Sequence, residues 1–208
     1  MNRLTLWTFI AACCVTRVLL AQPSAPGKLT VQPGSKLWLH GNSTIHEYSA
    51  DASELTGTIV VDSMLFGAGN GKLSQPLHKA EIAIPARKLL SGNEKLDDNM
   101  YDALKADDHA IITYQMISDS ILSGSGADSL ILATNGILAV AGKENVVSMI
   151  VTFINRQDGT FGLRGSKEML MTDFGIDPPS MMFGVLKTDN KIDIHFDLLL
   201  KLGKDVSQ

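Results

Sequence analysis

The sequence predicts an all-β fold with one short helix, built as an antiparallel β-barrel. Several short runs alternate apolar and polar residues with a period of two. Turn signals rich in Gly, Asn, Asp and Ser separate those runs. A single segment shows a helical period. Strands that are wet on one face belong to antiparallel sheets, not to parallel sheets covered by helices.

In chain order, residues 1–21 read as an export signal. Arg3 gives a short positive start, Leu4 to Val15 are mostly apolar, and Ala21 offers a small residue at a cleavage point. Arg17 interrupts the stretch, which is too short for a membrane-spanning helix of roughly 20 apolar residues. A second reading takes Ile10-Ala11-Ala12-Cys13 as a lipoprotein cleavage site with a lipid on Cys13. Residues 22–35 carry Pro23, Pro26 and Pro33 and read as a linker, which leaves residues 36–203 for the barrel.

Within the barrel region, residues 58–62 place Ile59 and Val61 on one face, and residues 80–84 set Ile82 and Ile84 against Glu81. Ser91 followed by Glu94 fits a capping box. Leu96, Met100, Ala103 and Leu104 share one face of the helix that follows, predicted as a crossover on the sheet or a cap over a barrel end. Residues 110–117 turn Ile112, Tyr114 and Met116 one way. Ser123-Gly124-Ser125-Gly126 is a hairpin signal, and Asn135-Gly136 is a turn or a bulge inside one long strand. Residues 146–154 carry Val147, Met149, Val151 and Phe153 on one face, and Asp158-Gly159 then marks a hairpin. The clearest strand is residues 191–202, where Ile192, Ile194, Phe196, Leu198, Leu200 and Leu202 form one apolar wall.

Composition narrows the function. Hydrophobic residues make up 45% and charged residues 19%, values that support a packed core and argue against disorder. The formal charge is −4, and taking out Arg3 and Arg17 leaves −6. No basic run marks a nucleic-acid footprint, and no further segment reads as a transmembrane helix. Both cysteines, Cys13 and Cys14, lie in the export signal, so a mature chain of 187 residues has none. That excludes a disulfide framework, a thiolate metal site and a cysteine nucleophile. The mature protein is expected to be periplasmic or secreted, in an oligomeric state the sequence leaves open.

The residues that could carry chemistry do not form a known constellation. His40, His46, His78, His109 and His195 lack metal-ligand spacing. No G-x-S-x-G elbow occurs, and Gly69-Asn70-Gly71-Lys72 is not a phosphate loop. Asp97-Asp98 and Asp107-Asp108 read as solvated helix ends and turns. An enzyme would have to use His46 or His109 as a lone base, so the expectation is no catalytic residue, no metal and no cofactor. Roughly eight strands, each with one apolar face, bury those faces by closing into a barrel. At that size the interior is filled by side chains or holds one ligand, and patterning alone leaves a filled core slightly ahead.

Read in order, several motifs resemble the YceI-like lipid/polyisoprenoid-binding family. They are Gly41-Asn42-Ser43-Thr44-Ile45-His46-Glu47-Tyr48, Leu55-Thr56-Gly57, and Ser91-Gly92 through Leu96, Met100 and Leu104-Lys105-Ala106 to Ile111–Tyr114. Asn135-Gly136-Ile137-Leu138 with Gly142-Lys143, and Met171-Thr172-Asp173-Phe174-Gly175-Ile176, complete the series. The likeness runs from about Lys36 to Leu202. Tyr48 stands where the family often has tryptophan, and Lys167 is the basic residue nearest before Asp173-Phe174-Gly175-Ile176. The resemblance implies a lipocalin-like antiparallel eight-stranded β-barrel, without enzyme activity or metal, holding a long isoprenoid, lipid or other amphiphile. The lining is then expected from Ile82, Ile84, Ile112, Tyr114, Met116, Met149, Val151, Phe153, Ile194 and Phe196, closed by Leu96, Met100 and Leu104. The alternative is the same barrel with a filled core, binding a partner protein through its loops.

Overall fold

The computed structural model describes residues 26–44, 46–66, 75–125, 128–156, 158–181 and 186–203. The segment read as an export signal and the Gly-rich loop at residues 67–71 lie outside them. The described chain runs β1 (Gly27–Val31), β2 (Lys36–Ser43), β3 (Glu47–Ala52), β4 (Thr56–Val61), β5 (Leu77–Pro85), β6 (Leu89–Leu90), α1 (Glu94–Ala103), β7 (Ile111–Ser125), β8 (Ser129–Val140), β9 (Lys143–Asn155), β10 (Thr160–Leu170), β11 (Ser180–Met181) and β12 (Leu186–Leu202). Short 3-10 turns lie at Ser63–Phe66, Ala86–Lys88 and Met171–Phe174.

The strands form one closed, antiparallel, eight-stranded up-and-down barrel. Three of its walls are broken strands: β1 with β2, β3 with β4, and β5 with β6. From β5 the order continues through β7, β8, β9, β10 and β12, and β12 returns to both β1 and β2. The closing pairs include Leu29 with Leu202 and Val31 with Leu200.

β1 corrects the linker reading of residues 22–35. Leu29 is fully buried and draws this segment into the wall. Pro26 and Pro33 lie just outside the two ends of β1, where proline removes no ladder hydrogen bond.

The interior has two tiers. One end is filled by a core that includes Leu29, Ile59, Leu130, Leu132, Phe153 and Leu200. There the Phe153 and Phe161 rings stack with centroids 5.6 Å apart. At the other end a smaller cluster of Ala141, Val147, Met169, Phe174 and Ile176 packs with half-buried neighbours such as Leu104 and Ile194. Both clusters face a common space: Ile59, Val151, Leu163 and Leu198 of the first and Met169, Phe174 and Ile176 of the second line one cavity.

Local chemistry explains several details. Asn135-Gly136 lies within β8, and the bulge is on the facing strand: the β7–β8 register slips between Met116 and Ser118. The extra residue, Ile117, reverses the faces, so Tyr114 and Met116 point inward before it and Asp119 is buried after it. The Asp119 carboxylate accepts a hydrogen bond from the Leu77 N–H at 3.1 Å. Burial raises its pKa above 3.8, while the Leu77 N–H and the charge of His78 pull it back. With the folded-state pKa above the unfolded one, Asp119 costs stability as pH rises through the window above 3.8. Asp119→Asn is expected to remove that slope, so its stability relative to the parent improves from pH 4 to pH 7. Urea melts at several pH values would show it, and a parallel pH profile for both proteins would refute it.

Gly165 pairs with Phe196, and a Cβ there would stand 2.6 Å from Phe196 Cζ. Gly165→Ala is expected to push the ring aside and cost about 1–3 kcal/mol of unfolding free energy in chemical denaturation.

The helix starts two residues later than a capping box at Ser91 predicts. The N-cap is Asn93, whose side chain accepts from the Leu96 N–H at 3.2 Å. Ser91 turns to Asp97, donating its N–H at 2.7 Å and its hydroxyl at 2.6 Å to Oδ1. Tyr101 then ties α1 to the barrel edge, its hydroxyl donating to the Leu89 carbonyl at 2.9 Å.

Candidate functional site

Between the two tiers lies a cavity of about 180 Å³. The inward positions of all eight walls build it: Leu37 and Leu39 from β2, Ile59 from β4, Ile82 and Ile84 from β5, Ile112, Tyr114 and Met116 from β7, Thr134 and Leu138 from β8, Met149 and Val151 from β9, and Ile192, Ile194, Phe196 and Leu198 from β12. β10 adds Leu163, Lys167 and Met169. The Met171–Phe174 turn folds Met171 and Phe174 over one end, with Ile176 just beyond. Gly175 at φ +63° ends that turn in the left-handed region. All lining side chains are apolar except Tyr114, Thr134 and Lys167, and Lys167 carries the sole charge among them.

Of the residues expected to line the interior, Ile82, Ile84, Leu104, Ile112, Tyr114, Met116, Met149, Val151, Ile194 and Phe196 stand on this cavity. Phe153 does not. It shares a face with Met149 and Val151 but sits lower, 1% exposed in the filled tier. Leu96 and Met100 also stand outside the lining. Their helix buries no residue completely, and Tyr101 ties it to the Leu89 carbonyl. Only Leu104, at the helix C-cap, turns inward. His46 and His109 are exposed and away from the cavity. Among the described residues no group of three or more His, Cys, Asp or Glu gathers to hold a metal.

The sequence reading missed Leu37, Leu39, Leu138, Leu163, Lys167 and Met169. The signal was available in β10, where Leu163, Gly165, Lys167 and Met169 share one parity. A lysine at an inward position hides that pattern.

Two tyrosines are unusual. The Tyr114 ring lies over Gly136, where any Cβ would collide with it. The Tyr114 hydroxyl is buried at the cavity wall; burial raises its pKa, and the neighbouring Thr134 side chain pulls it part of the way back. The Tyr48 ring lies over Gly41 in the same way, its hydroxyl buried without a hydrogen-bond partner. Burial first, and then the charge of Asp189, push the Tyr48 pKa up to about 12. Both hydroxyls therefore stay protonated across the physiological range.

Between β9 and β10 the ladder is incomplete. β9 and β10 pair from Phe161 with Asn155 as far as Gly165 with Val151, and there their ladder stops. β9 remains paired with β8 down to Lys143, and β10 remains paired with β12 up to Leu170. Above the unpaired stretch the Asn145 side chain donates to the Asp173 carbonyl at 2.7 Å, joining β9 to the Met171–Phe174 turn.

The YceI-like domain model matches residues 32–200. No curated protein matches the chain. Among solved structures, Burkholderia cenocepacia BcnA aligns with a TM-score of 0.63 at 15% identity, covering 81% of this chain and 98% of that one. A polyisoprenoid binding domain from Saccharophagus degradans, implicated in plant cell wall breakdown, aligns with a TM-score of 0.63 at 11% identity, covering 86% and 100%. The Campylobacter jejuni YCEI protein aligns with a TM-score of 0.58 at 14% identity, covering 75% and 85%. At these identities the structural likeness is one of fold. The domain match, by contrast, takes in most of the sequence, and on it the chain belongs to the YceI-like domain family.

Proposed function

We propose that this protein is an exported, non-enzymatic binding protein that holds a polyisoprenoid, lipid or similar amphiphile inside its barrel. The observation that carries the reading is the cavity wall, apolar at every position but Tyr114, Thr134 and Lys167. Such a wall rewards an apolar chain, at about 0.8 kcal/mol for each methylene removed from water. The polyisoprenoid binding domain of Saccharophagus degradans shares the fold, which supports the same class of ligand here. The three polar lining groups do not make a nucleophile with its base, which supports binding without turnover. Export, to the periplasm or beyond the cell, rests on the signal-like residues 1–21.

The test is mass spectrometry of an organic extract from protein purified gently out of its native compartment. A long-chain amphiphile at one per chain is the expected result. Folded protein that yields an empty extract, and takes up no long-chain probe afterwards, would overturn the proposal.

A further inference from the structure

Beside the unpaired stretch of β9 and β10, their seam, the cavity and an outer groove share Thr134, Met149, Lys167 and Phe196. Both strands are held on their far sides by β8 and β12, so only the contact between them is missing. Lys167 lies at that gap, lining the cavity and also the two outer grooves that flank the seam. It makes no ion pair among the described residues. Its neighbour Glu168 is taken by Lys191 at 2.6 Å, and Asp197 by Arg164 at 3.0 Å.

The register gathers the other polar lining groups nearby. Continuing the β9–β10 pairing two residues past Gly165 and Val151 sets Met149 opposite Lys167. Met149 pairs with Thr134, and the Tyr114 ring covers Gly136 two residues further along β8. The Lys167 ammonium, without an ion-pair partner among the described residues, thus sits on an otherwise greasy wall. An anionic oxygen group is the chemistry that satisfies it. Outside, Val146 and Ile150 on β9 and Leu170 on β10 are 68%, 60% and 41% exposed, giving the seam an apolar rim.

We propose that the β9–β10 seam is the loading port of the barrel, and that Lys167 holds there the anionic oxygen head of an amphiphile with one long apolar tail. This rests on reading the cavity as an amphiphile site. A carboxylate and a phosphate share the required chemistry, and the test separates them.

The experiment compares the delipidated wild-type chain with Lys167→Leu, using hexadecanoate, hexadecyl phosphate and hexadecanol as probes. Lys167→Leu puts an apolar side chain on an apolar wall, so the fold is expected to survive. It should weaken binding of the charged probes roughly tenfold to a hundredfold and leave hexadecanol within about twofold. A larger loss on hexadecyl phosphate assigns a phosphate head, and a larger loss on hexadecanoate a carboxylate. Equal losses on all three probes, or no loss on any, would overturn the role of Lys167. If the wild type binds none of them, the cavity reading itself fails.

The port is tested separately with a hexadecanoate analogue carrying a diazirine beside the carboxyl group. Photocrosslinks mapped by mass spectrometry should fall on residues 146–150 and 166–170. Crosslinks confined to α1 and the Met171–Phe174 turn would move the port to that end of the barrel.

Discussion

Phe153→Ala is expected to destabilise the barrel by about 3–5 kcal/mol while leaving ligand affinity intact. Phe153 is 1% exposed, stacks on Phe161, and belongs to the filled tier beside Leu130, Leu132 and Leu200. Removing its ring opens a void that rigid strands on every side cannot collapse to fill. Urea unfolding would read the loss, and titration with a long-chain probe, under conditions where the variant stays folded, would read the affinity. Unchanged stability together with lost binding would mean that Phe153 lines the ligand site and that the two tiers are one cavity.

Ile194→Trp is expected to do the reverse. Ile194 is half-buried on β12 and faces the cavity, where a larger ring enters space already present. The cost in stability should stay under about 1.5 kcal/mol, while excluding four methylenes of a bound tail costs about 3 kcal/mol. That corresponds to a loss of affinity of more than a hundredfold. Leu96→Ala is the contrasting control: Leu96 is on the same helix face as Leu104 but off the cavity wall, and its loss should leave uptake unchanged. Full-strength binding by a folded Ile194→Trp protein would place the ligand elsewhere.

Much of this arrangement was legible in the sequence, because side-chain parity is a local property of a strand. The alternation from Ile192 to Leu200 predicts an inward wall, and those residues do line the cavity or the core below it. Parity cannot say how high a residue stands in the barrel. Met149, Val151 and Phe153 share one face of β9, yet the first two line the cavity and the third does not. Height is set by register with strands far away in sequence. β1 was hidden for a related reason: its prolines, read locally, signal a linker, and its burial depends on a partner at the other end of the chain. The helix shows the same limit. Its periodicity groups Leu96, Met100 and Leu104, but of the three only Leu104 lines the cavity. The seam left no trace at all, since missing hydrogen bonds between two good strands have no sequence signature.

The way the ring is closed also governs how the protein comes into being. Thr30 Oγ1 donates to the Lys201 carbonyl across a separation of 171 residues. Until β12 has been synthesised, β1 and β2 lack the strand they share, and every intermediate is an open sheet with two bare edges. Contacts of such high order make folding slow, on the millisecond-to-second scale of β-barrels. The ring therefore cannot close before its last strand exists.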